Sequence, residues 1–232
     1  MNAVITGASR GIGRAIAEKY ASLGYNILIC SKNLRLIEDA AEDIRKLYPE
    51  VQVWAKAADL SVKADITDFA EWCLLHGEPD ILVNNAGIYL PGNVHDEPEG
   101  QMEKLMNINF YSAYHLSRQL LPSMIRRGRG HIFNISSIAS LDAYPGGGAY
   151  SISKFALMGF SKNLRHELKG KGIKVTTVYA GAVATDSWEG FDNSRSRIML
   201  ASDIAETIAA AGSLSAQAVI EDIIIRPQLG DL

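Results

Sequence analysis

Residues 2–13 read Asn-Ala-Val-Ile-Thr-Gly-Ala-Ser-Arg-Gly-Ile-Gly, and they predict the architecture of the chain that follows. Asn2–Thr6 is a short apolar run typical of a buried strand, and an amphipathic helix follows the glycines to about Leu23. In a strand–loop–helix unit, one glycine permits a tight turn, a second lets the backbone approach a pyrophosphate, and a third lets the helix pack on the strand. The N–H groups and dipole at the helix start also favour phosphate. We therefore predict a dinucleotide-binding loop.

The glycines are spaced Gly-x-x-x-Gly-x-Gly rather than Gly-x-Gly-x-x-Gly. The loop can therefore bind a pyrophosphate in the same way as the commoner Gly-x-Gly-x-x-Gly motif, although its glycine spacing differs. A glycine-rich turn without a ligand is the alternative, and the strand and helix on either side disfavour it.

Short apolar strands alternate with helices through the rest of the chain. Uninterrupted apolar strands separated by helices are typical of a parallel sheet covered on both faces. We predict an α/β fold in which residues 1–232 form a single Rossmann-type, doubly wound domain with a seven-stranded parallel sheet and helices on both faces. The predicted strands cover residues 2–6, 26–30, 51–57, 80–83, 131–135, 173–179 and 223–225. After the first helix, the predicted helices cover residues 34–47, 62–75, 101–125, 150–168 and 203–211, with Ser61 as a helix N-cap.

The stretch His131–Leu168 combines a buried strand, a polar end at Ser136 and Ser137, three glycines and a long helix. Tyr150 and Lys154 lie four residues apart near the helix start, which puts both side chains on one face, roughly 6 Å apart at Cβ. An ammonium beside a phenol favours the phenolate and lowers its pKa from about 10, towards the range where proton transfer is efficient. The Ser137 hydroxyl is positioned to bind the same oxygen atom. The Tyr-x-x-x-Lys spacing alone is also compatible with an ordinary helix that carries a solvated lysine.

Composition and charge exclude several classes of function. The chain has 47% apolar and 21% charged residues and a formal charge of −3, so nucleic acid is not an expected partner.

Cys30 and Cys73 lack the spacing of a metal or redox site, and we expect no metal and two reduced thiols. No segment reaches the ~18 apolar residues of a membrane span, and no signal peptide precedes the first strand. We therefore expect a cytoplasmic protein that does not engage a membrane.

Six motifs in register from residue 4 to about 226 resemble the short-chain dehydrogenase/reductase family. The resemblance implies a Rossmann-type domain that moves hydride between a nicotinamide cofactor and an alcohol or carbonyl. It favours the compact branch, because the extended branch has a different glycine spacing and a further C-terminal domain. The motifs are Thr6-Gly7-x-x-x-Gly11-x-Gly13, Asn84-Asn85-Ala86-Gly87, Asn109, Ser137, Tyr150-x-x-x-Lys154 and the loop through Gly181 and Thr185.

The resemblance implies four catalytic residues. Tyr150 is the general acid in carbonyl reduction, and Lys154 lowers its pKa and holds the nicotinamide ribose. Ser137 hydrogen-bonds the substrate oxygen where charge develops. Asn109 completes a water-linked proton relay behind Lys154. Asn107 is the alternative for that role; the two positions differ by about 200° around a helix, so only one faces the site.

The resemblance also implies the residues that bind the cofactor. Asp59 with Leu60 borders the adenine, although a carboxylate there also suits capping of the next helix. Thr185 holds the nicotinamide carboxamide. The family usually has proline where this chain has Ala180, and we expect a looser loop there, because proline restricts the unfolded chain. The full set is Gly7, Ser9, Arg10, Gly11, Ile12, Gly13, Ser31, Lys32, Asn33, Asp59, Leu60, Asn85, Ala86, Gly87, Tyr150, Lys154, Gly181, Val183 and Thr185.

The end of the second strand predicts a preference for NADP(H). NAD-preferring members place a carboxylate there, which accepts hydrogen bonds from the adenosine hydroxyls and repels a 2′-phosphate. Here Ser31 resembles the acidic position, Lys32 follows it, and Arg10 is aimed at the same corner. Two cations and a hydroxyl suit a phosphate through charge-assisted hydrogen bonds. The alternative is that both cations are ordinary surface residues.

The segment after Thr185 is the family's specificity region. Trp188 and Phe191 are candidates for an apolar lid, and Arg195 and Arg197 for contact with an acidic substrate or carrier protein. Plain packing and a solvated loop are the alternatives. The further lid candidates are Ile88, Tyr89, Leu90, Ile138, Leu141 and Tyr144.

These features favour an oxidoreductase that transfers hydride between NADPH and a small-molecule carbonyl or alcohol, of the carbonyl reductase type. The alternatives are a 3-oxoacyl carrier-protein reductase and a non-enzymatic dinucleotide-sensing module. The helix Tyr150–Leu168 is apolar on more than one face, and with helix 101–125 it predicts a homodimer or homotetramer.

Overall fold

The computed structural model describes residues 1–185, 190–193 and 196–231. Seven strands form one sheet in the order β3-β2-β1-β4-β5-β6-β7, and every neighbouring pair is parallel. The predicted seven-stranded parallel sheet is therefore confirmed. The strands are β1 (Asn2–Thr6), β2 (Asn26–Ser31), β3 (Val53–Ala57), β4 (Ile81–Asn84), β5 (Gly130–Ser137), β6 (Ile173–Ala180) and β7 (Asp222–Ile225).

Helices cover both faces of the sheet, as predicted. The helices are α1 (Gly11–Ser22), α2 (Leu34–Leu47), α3 (Lys63–His76), α4 (Gln101–Met106), α5 (Ser112–Arg127), α6 (Gly148–Leu168) and α7 (Ala201–Gly212). Ala3 and Ile5 of β1 join a core with residues of α1, α2 and α7. Val4 points the other way and joins a core with residues of α3, α5 and α6. Successive strand residues face opposite sides, so an uninterrupted apolar strand supplies both cores.

The predicted helix over residues 101–125 contains an irregularity that its periodicity does not reveal. Between α4 and α5, residues Asn107–Tyr111 form a single π-helical turn. Such turns are often found at functional sites, because the inserted residue re-aims the side chains around it. Asn109 lies in the middle of this turn and is buried.

The predicted N-cap of α3 was wrong. The helix begins at Lys63, after Val62, and no side chain caps it from that position. The Ser61 amide and hydroxyl instead both donate to Asp59 Oδ1, at 3.0 and 2.6 Å. The side chain of Asp65 accepts from the Asp59 amide at 3.0 Å. Asp59 therefore organises the turn that precedes the helix.

The sheet topology determines where a site forms. Strand order reverses between β1 and β4, and ligands of such sheets bind in the crevice at the carboxyl ends of the strands near this point. Both cysteines are buried with free thiols. Among residues 1–185, 190–193 and 196–231, none of the helices has the length and apolar character that a membrane span requires. Over the same residues, no three His, Cys, Asp or Glu side chains converge as a metal site.

Candidate active site

A cleft of about 1170 Å³ lies at the carboxyl edge of the sheet. The glycine loop after β1, the ends of β2 and β3, the loop after β4, and the ends of β5 and β6 all contribute to its walls. Nearly all of the predicted site residues line it. Of that set, Gly13 and Asn109 are not among the lining residues.

The glycine loop has the shape of a phosphate cradle. Gly7 and Gly11 adopt left-handed φ values of +64° and +58°, which favour glycine. A Cβ at Gly7 would lie 3.0 Å from Ala86 Cα, and one at Gly11 would lie 3.1 Å from Thr185 Cγ2. Gly13 faces the protein instead, since a Cβ there would lie 2.5 Å from both Asn85 Nδ2 and Gly7 O. Two glycines thus shape the cleft, and the third permits close packing.

Asn85 and Thr6 lock the glycine loop to the end of β4. The Asn85 side chain donates to Thr6 O at 2.8 Å and to Gly7 O at 3.1 Å. The Thr6 hydroxyl accepts from the amides of Asn85 and Ala86, both at 3.0 Å. Asn85 lines the cleft, and its Nδ2 holds the glycine loop in place, while its predicted contact with the cofactor stays a prediction.

Ser137, Tyr150 and Lys154 meet where β5 ends and α6 begins, and all three line the cleft. Ser137 Oγ accepts from the Ala139 amide at 3.1 Å, and its hydroxyl also hydrogen-bonds the Tyr150 phenol. Lys154 is buried, and its Nζ donates to Ile135 O at 3.0 Å. The ammonium lies 5.9 Å from the centre of the Tyr150 ring. The helical spacing therefore brings the phenol and the ammonium to one site.

The protonation of this pair differs from the sequence-based expectation. Burial raises the pKa of Tyr150 above 10.0, the Ser137 hydroxyl opposes this shift, and the nearby Tyr89 adds to it. Burial lowers the pKa of Lys154 from 10.5 to about 8. Lys154, with its pKa of about 8, has lost its proton before the phenol ionises, so burial sets the direction of the Tyr150 shift and the predicted lowering of that pKa was wrong. The phenol is protonated at neutral pH, as a proton donor must be.

We expect Lys154→Met to stabilise the cofactor-free protein. Below pH 8 the buried ammonium costs about 3 kcal/mol, and losing its hydrogen bond to Ile135 offsets about 1 kcal/mol of the gain. Between pH 8 and 10.5 the unfolded chain binds the lysine proton and the folded chain does not, so wild-type stability rises with pH. The Tm of the variant should exceed that of wild type at pH 7, and the gap should narrow by pH 10. A lower Tm for the variant at pH 7 would contradict this.

Asn109 is buried and Asn107 is exposed. Asn109 Oδ1 accepts from the Ile88 amide at 2.8 Å, and Nδ2 donates to Ile88 O at 3.1 Å and to Ser153 Oγ at 2.9 Å. Both ends of the side-chain amide are therefore bonded to protein. A Cβ at Gly87 would lie 3.1 Å from Asn109 Oδ1 and 3.5 Å from Lys154 Nζ, so both side chains approach Gly87, and the role of Asn109 in a proton relay stays a prediction.

The end of the cleft beside β2 and β3 contains an ion pair that the sequence did not predict. Lys32 Nζ lies 2.7 Å from Asp59 Oδ2. Hydrogen bonds from Lys32 and then Ser61 lower the pKa of Asp59. The Ser31 hydroxyl donates to Asn33 O at 3.2 Å, and Asn33 Oδ1 caps α2 by accepting from the Leu36 amide at 3.1 Å. The predicted phosphate and adenine ligands thus already contact one another.

The loop after β6 is held firmly, contrary to the looser loop expected from Ala180. The Gly181 amide donates to Ile225 O at 2.9 Å, the Ala184 amide to Met199 O at 2.8 Å, and the Met199 amide to Ala182 O at 3.1 Å. Because the loop is pinned by backbone bonds to β7 and to the segment before α7, it does not need proline. Thr185 packs against Gly11 across the cleft.

The substrate end contains four of the predicted apolar residues among those the structure describes: Ile88, Tyr89, Ile138 and Tyr144. Arg197 does not face the cleft, since it donates to Gly230 O and Asp231 O, both at 2.9 Å. Contact between Arg197 and an acidic substrate, which the sequence left open beside a solvated loop, stays a hypothesis, and these bonds hold the guanidinium to the chain itself. Trp188 and Arg195 lie outside the described residues.

Several lining residues were not predicted. Arg226 and Asp231, which form an ion pair with each other, and Lys104 and Asp142 also line the cleft. They belong to segments that follow β7, β4 and β5. A charged residue near a strand end is a weak signal, because most such residues are solvated.

The sheet, the glycine loop and the Ser137–Tyr150–Lys154 cluster together define a Rossmann-type protein whose cleft lies at the carboxyl edge of the sheet. Comparison with known proteins supports the same class of protein. The family profile described as short chain dehydrogenase matches residues 1–195. The chain therefore belongs to the short-chain dehydrogenase/reductase family, which is a family of oxidoreductases.

Relatives of known sequence and structure resemble nearly the whole chain. A sepiapterin reductase from Chlorobaculum tepidum is 33% identical over 237 residues, which cover 99% of this chain and 97% of the relative. A metagenomic short-chain oxidoreductase, solved in complex with NADP, is 32% identical with a TM-score of 0.85 and covers 98% and 97% of the two chains. An alcohol dehydrogenase from Thermococcus sibiricus, solved with 5-hydroxy-NADP, is 25% identical with a TM-score of 0.91, covering 97% and 96%.

Proposed function

We propose that residues 1–232 act as a single-domain, NADPH-dependent reductase of a small-molecule carbonyl, working reversibly on the corresponding alcohol. The observation that carries the proposal is the meeting of Ser137, Tyr150 and Lys154 in the same cleft as the glycine cradle. The cradle fits a dinucleotide, because left-handed glycines leave open the space that side chains would fill. When bound, the nicotinamide supplies the hydride.

Each residue of the cluster has a proposed task that follows from its contacts. Tyr150 donates its phenolic proton to the carbonyl oxygen, and its raised pKa keeps that proton in place at neutral pH. The Ser137 hydroxyl, which hydrogen-bonds the phenol in this structure, donates a second hydrogen bond to the same carbonyl oxygen when the substrate is bound. Lys154 has a pKa of about 8 and is therefore charged at neutral pH, where it stabilises the negative charge that forms on the phenol during proton transfer.

The proposed cofactor is NADP(H). Support comes from Arg10, Ser31 and Lys32, which line one end of the cleft, and from similar proteins solved with NADP bound. A 2′-phosphate at this corner would replace Asp59 as the partner of Lys32, and charge-assisted bonds to phosphate are strong.

The test is NADPH oxidation with a panel of ketones, diketones and acyl thioesters, followed by absorbance. Ketone turnover with NADPH is expected, and the reverse reaction is expected with the product alcohol and NADP. Absence of turnover across the panel, together with no NADPH binding by calorimetry, would contradict the proposal. Preferred turnover of acyl thioesters would favour the carrier-protein reductase. That alternative has less support, because Arg197 is bonded to the chain itself.

Binding of NADPH without any turnover would favour the dinucleotide-sensing module. Such a module does not need a proton donor. The presence of the hydroxyl, phenol and ammonium in one cleft supports the enzyme over the sensor.

We predict a homodimer or homotetramer formed through α5 and α6. Ile152 and Phe155 on α6 are 42% and 38% exposed, and Tyr111 beside α5 is 42% exposed. Burying these side chains against a second copy removes apolar area from water. Light scattering at micromolar concentration should give a multiple of 25.2 kDa, and Ile152→Glu with Phe155→Glu should shift it to the monomer. A wild-type protein that is monomeric under these conditions would overturn this prediction.

A further inference from the structure

Two loops meet beside the proposed catalytic tyrosine. We call their contact the loop junction, formed by residues 91–97 after β4 and residues 144–149 after β5. The Gly92 amide donates to Gly146 O at 3.0 Å, and the Gly146 amide donates to Asn93 Oδ1 at 3.2 Å. Bonds in both directions join segments that are about fifty residues apart in sequence.

The carboxylate of Glu97 lies at the centre of the loop junction. Its Oε2 accepts from the Ala149 amide at 3.1 Å and from Gln101 Nε2 at 3.3 Å. The fit around it is tight: a Cβ at Gly148 would lie 2.8 Å from this oxygen and 2.4 Å from Gly92 O. Glycine at position 148 is therefore needed for the carboxylate to reach the backbone.

The bonded amide belongs to the first turn of α6, one residue before Tyr150. Amides in a first turn have no acceptor within the helix, and the N-cap residue of α6, Gly147, has no side chain to supply one. A carboxylate at a helix start is also favoured by the helix dipole. Glu97 thus performs from another loop the task that a capping side chain usually performs.

The loop that carries Glu97 also touches the ring of Tyr150. Tyr89 lies edge-on to Tyr150, with ring centres 4.9 Å apart and planes at 87°. The preceding residue, Ile88, is fixed through both backbone groups by Asn109. The loop is therefore anchored at one end by Asn109 and at the other by Glu97, with Tyr89 between them against the phenol.

We propose that Glu97 is a positioning residue for Tyr150. It accepts the Ala149 hydrogen bond, sets the start of α6 relative to the loop after β4, and so fixes the phenol against Tyr89 and Ser137. The effect requires an acceptor that reaches Ala149 and does not require the negative charge. The predicted effect on catalysis rests on the proposed reductase function. The predicted effect on structure depends only on the loop junction.

Three variants distinguish the length of the Glu97 side chain from its negative charge as the cause of the effect. Glu97→Gln keeps the length and a carbonyl oxygen, Glu97→Asp keeps the charge but is one methylene shorter, and Glu97→Ala removes both. The expected result is a kcat lowered about ten- to hundredfold by Ala and Asp, as for a misplaced catalytic group, and a Gln variant within about threefold of wild type. The Kd for NADPH should stay within about twofold in all three, since Glu97 does not line the cofactor end. Glu99→Ala, an exposed position on the same loop, is the matched control.

Hydrogen exchange of the full chain supplies a readout that needs no turnover. Peptides that cover residues 144–150 should exchange faster in the Ala and Asp variants than in wild type, and at the wild-type rate in the Gln variant. If wild type fails to reduce any carbonyl, the proposed function fails while this comparison still tests the junction. Equal kcat and equal exchange in the Asp and Gln variants would overturn the inference, as would a Gln variant as impaired as Ala. If the Ala variant does not fold, the Asp and Gln pair decides.

Discussion

Tyr150→Phe is expected to reduce kcat by about 10²–10⁴-fold, the usual contribution of a direct acid–base group, while NADPH still binds. The phenol is the proposed source of the proton, and phenylalanine preserves the edge-on contact with Tyr89. Removing the hydroxyl should therefore abolish proton donation and leave the packing of the ring against Tyr89 unchanged. Steady-state kinetics with a reducible ketone and calorimetric titration with NADPH measure the two effects separately.

Ser137→Ala is the matched control for that variant. It removes the second hydrogen bond to the substrate oxygen and leaves the phenol in place, so kcat should fall less than in Tyr150→Phe. The cofactor Kd should be unchanged in both variants. A Tyr150→Phe enzyme that keeps more than a tenth of the wild-type kcat would exclude a direct acid–base role for the phenol.

Ser31→Asp combined with Lys32→Ala is expected to shift cofactor preference towards NADH. The pair removes a donor and a cation from the proposed 2′-phosphate site and introduces a carboxylate that repels phosphate. Hydrogen bonds to charged groups are stronger than those between neutral groups, so the ratio of kcat/KM for NADPH over NADH should fall by about tenfold for each lost contact. A wild-type enzyme that prefers NADH would contradict the assignment directly.

The ion pair between Lys32 and Asp59 supplies a control that acts in the opposite direction. Asp59→Asn removes the carboxylate that holds Lys32 at 2.7 Å, and so frees the ammonium for phosphate. We expect this variant to strengthen NADPH binding relative to NADH, most clearly at low salt, where exposed charges are least screened. If cofactor preference shifts in opposite directions in the two variants, the residues around Lys32 determine that preference. If it shifts in the same direction in both, they do not.

Features that depend on neighbouring residues were predictable from the sequence. The strand after Met1, the glycine turn and the helix that follows are encoded within about twenty residues, and the seven predicted strands all occur in the parallel sheet. The pairing of Tyr150 with Lys154 follows from helical geometry alone, since residues four apart share a face. Most of the predicted cofactor residues line the cleft because they end parallel strands, and such ends share one edge of a sheet.

Contacts between segments that are far apart in the sequence were not predictable from the sequence. The Asp59 carboxylate turned out to pair with Lys32, and Asn109 with the backbone of Ile88, 21 residues away. Sequence reasoning placed a pKa-lowering ammonium beside Tyr150, whereas burial raises that pKa. Burial is a property of everything packed around the phenol, and no local pattern contains it.

The sequence by itself therefore predicted the fold and the glycine loop through local periodicity and spacing, and it indicated the phenol and the ammonium through spacing together with the resemblance to the family. Only the tertiary structure decided how these parts are held and charged. Glu97 has no motif around it, and its bond to Ala149 spans 52 residues. Such a contact depends on where two loops end in space, which is set by the packing of the whole sheet and its helices.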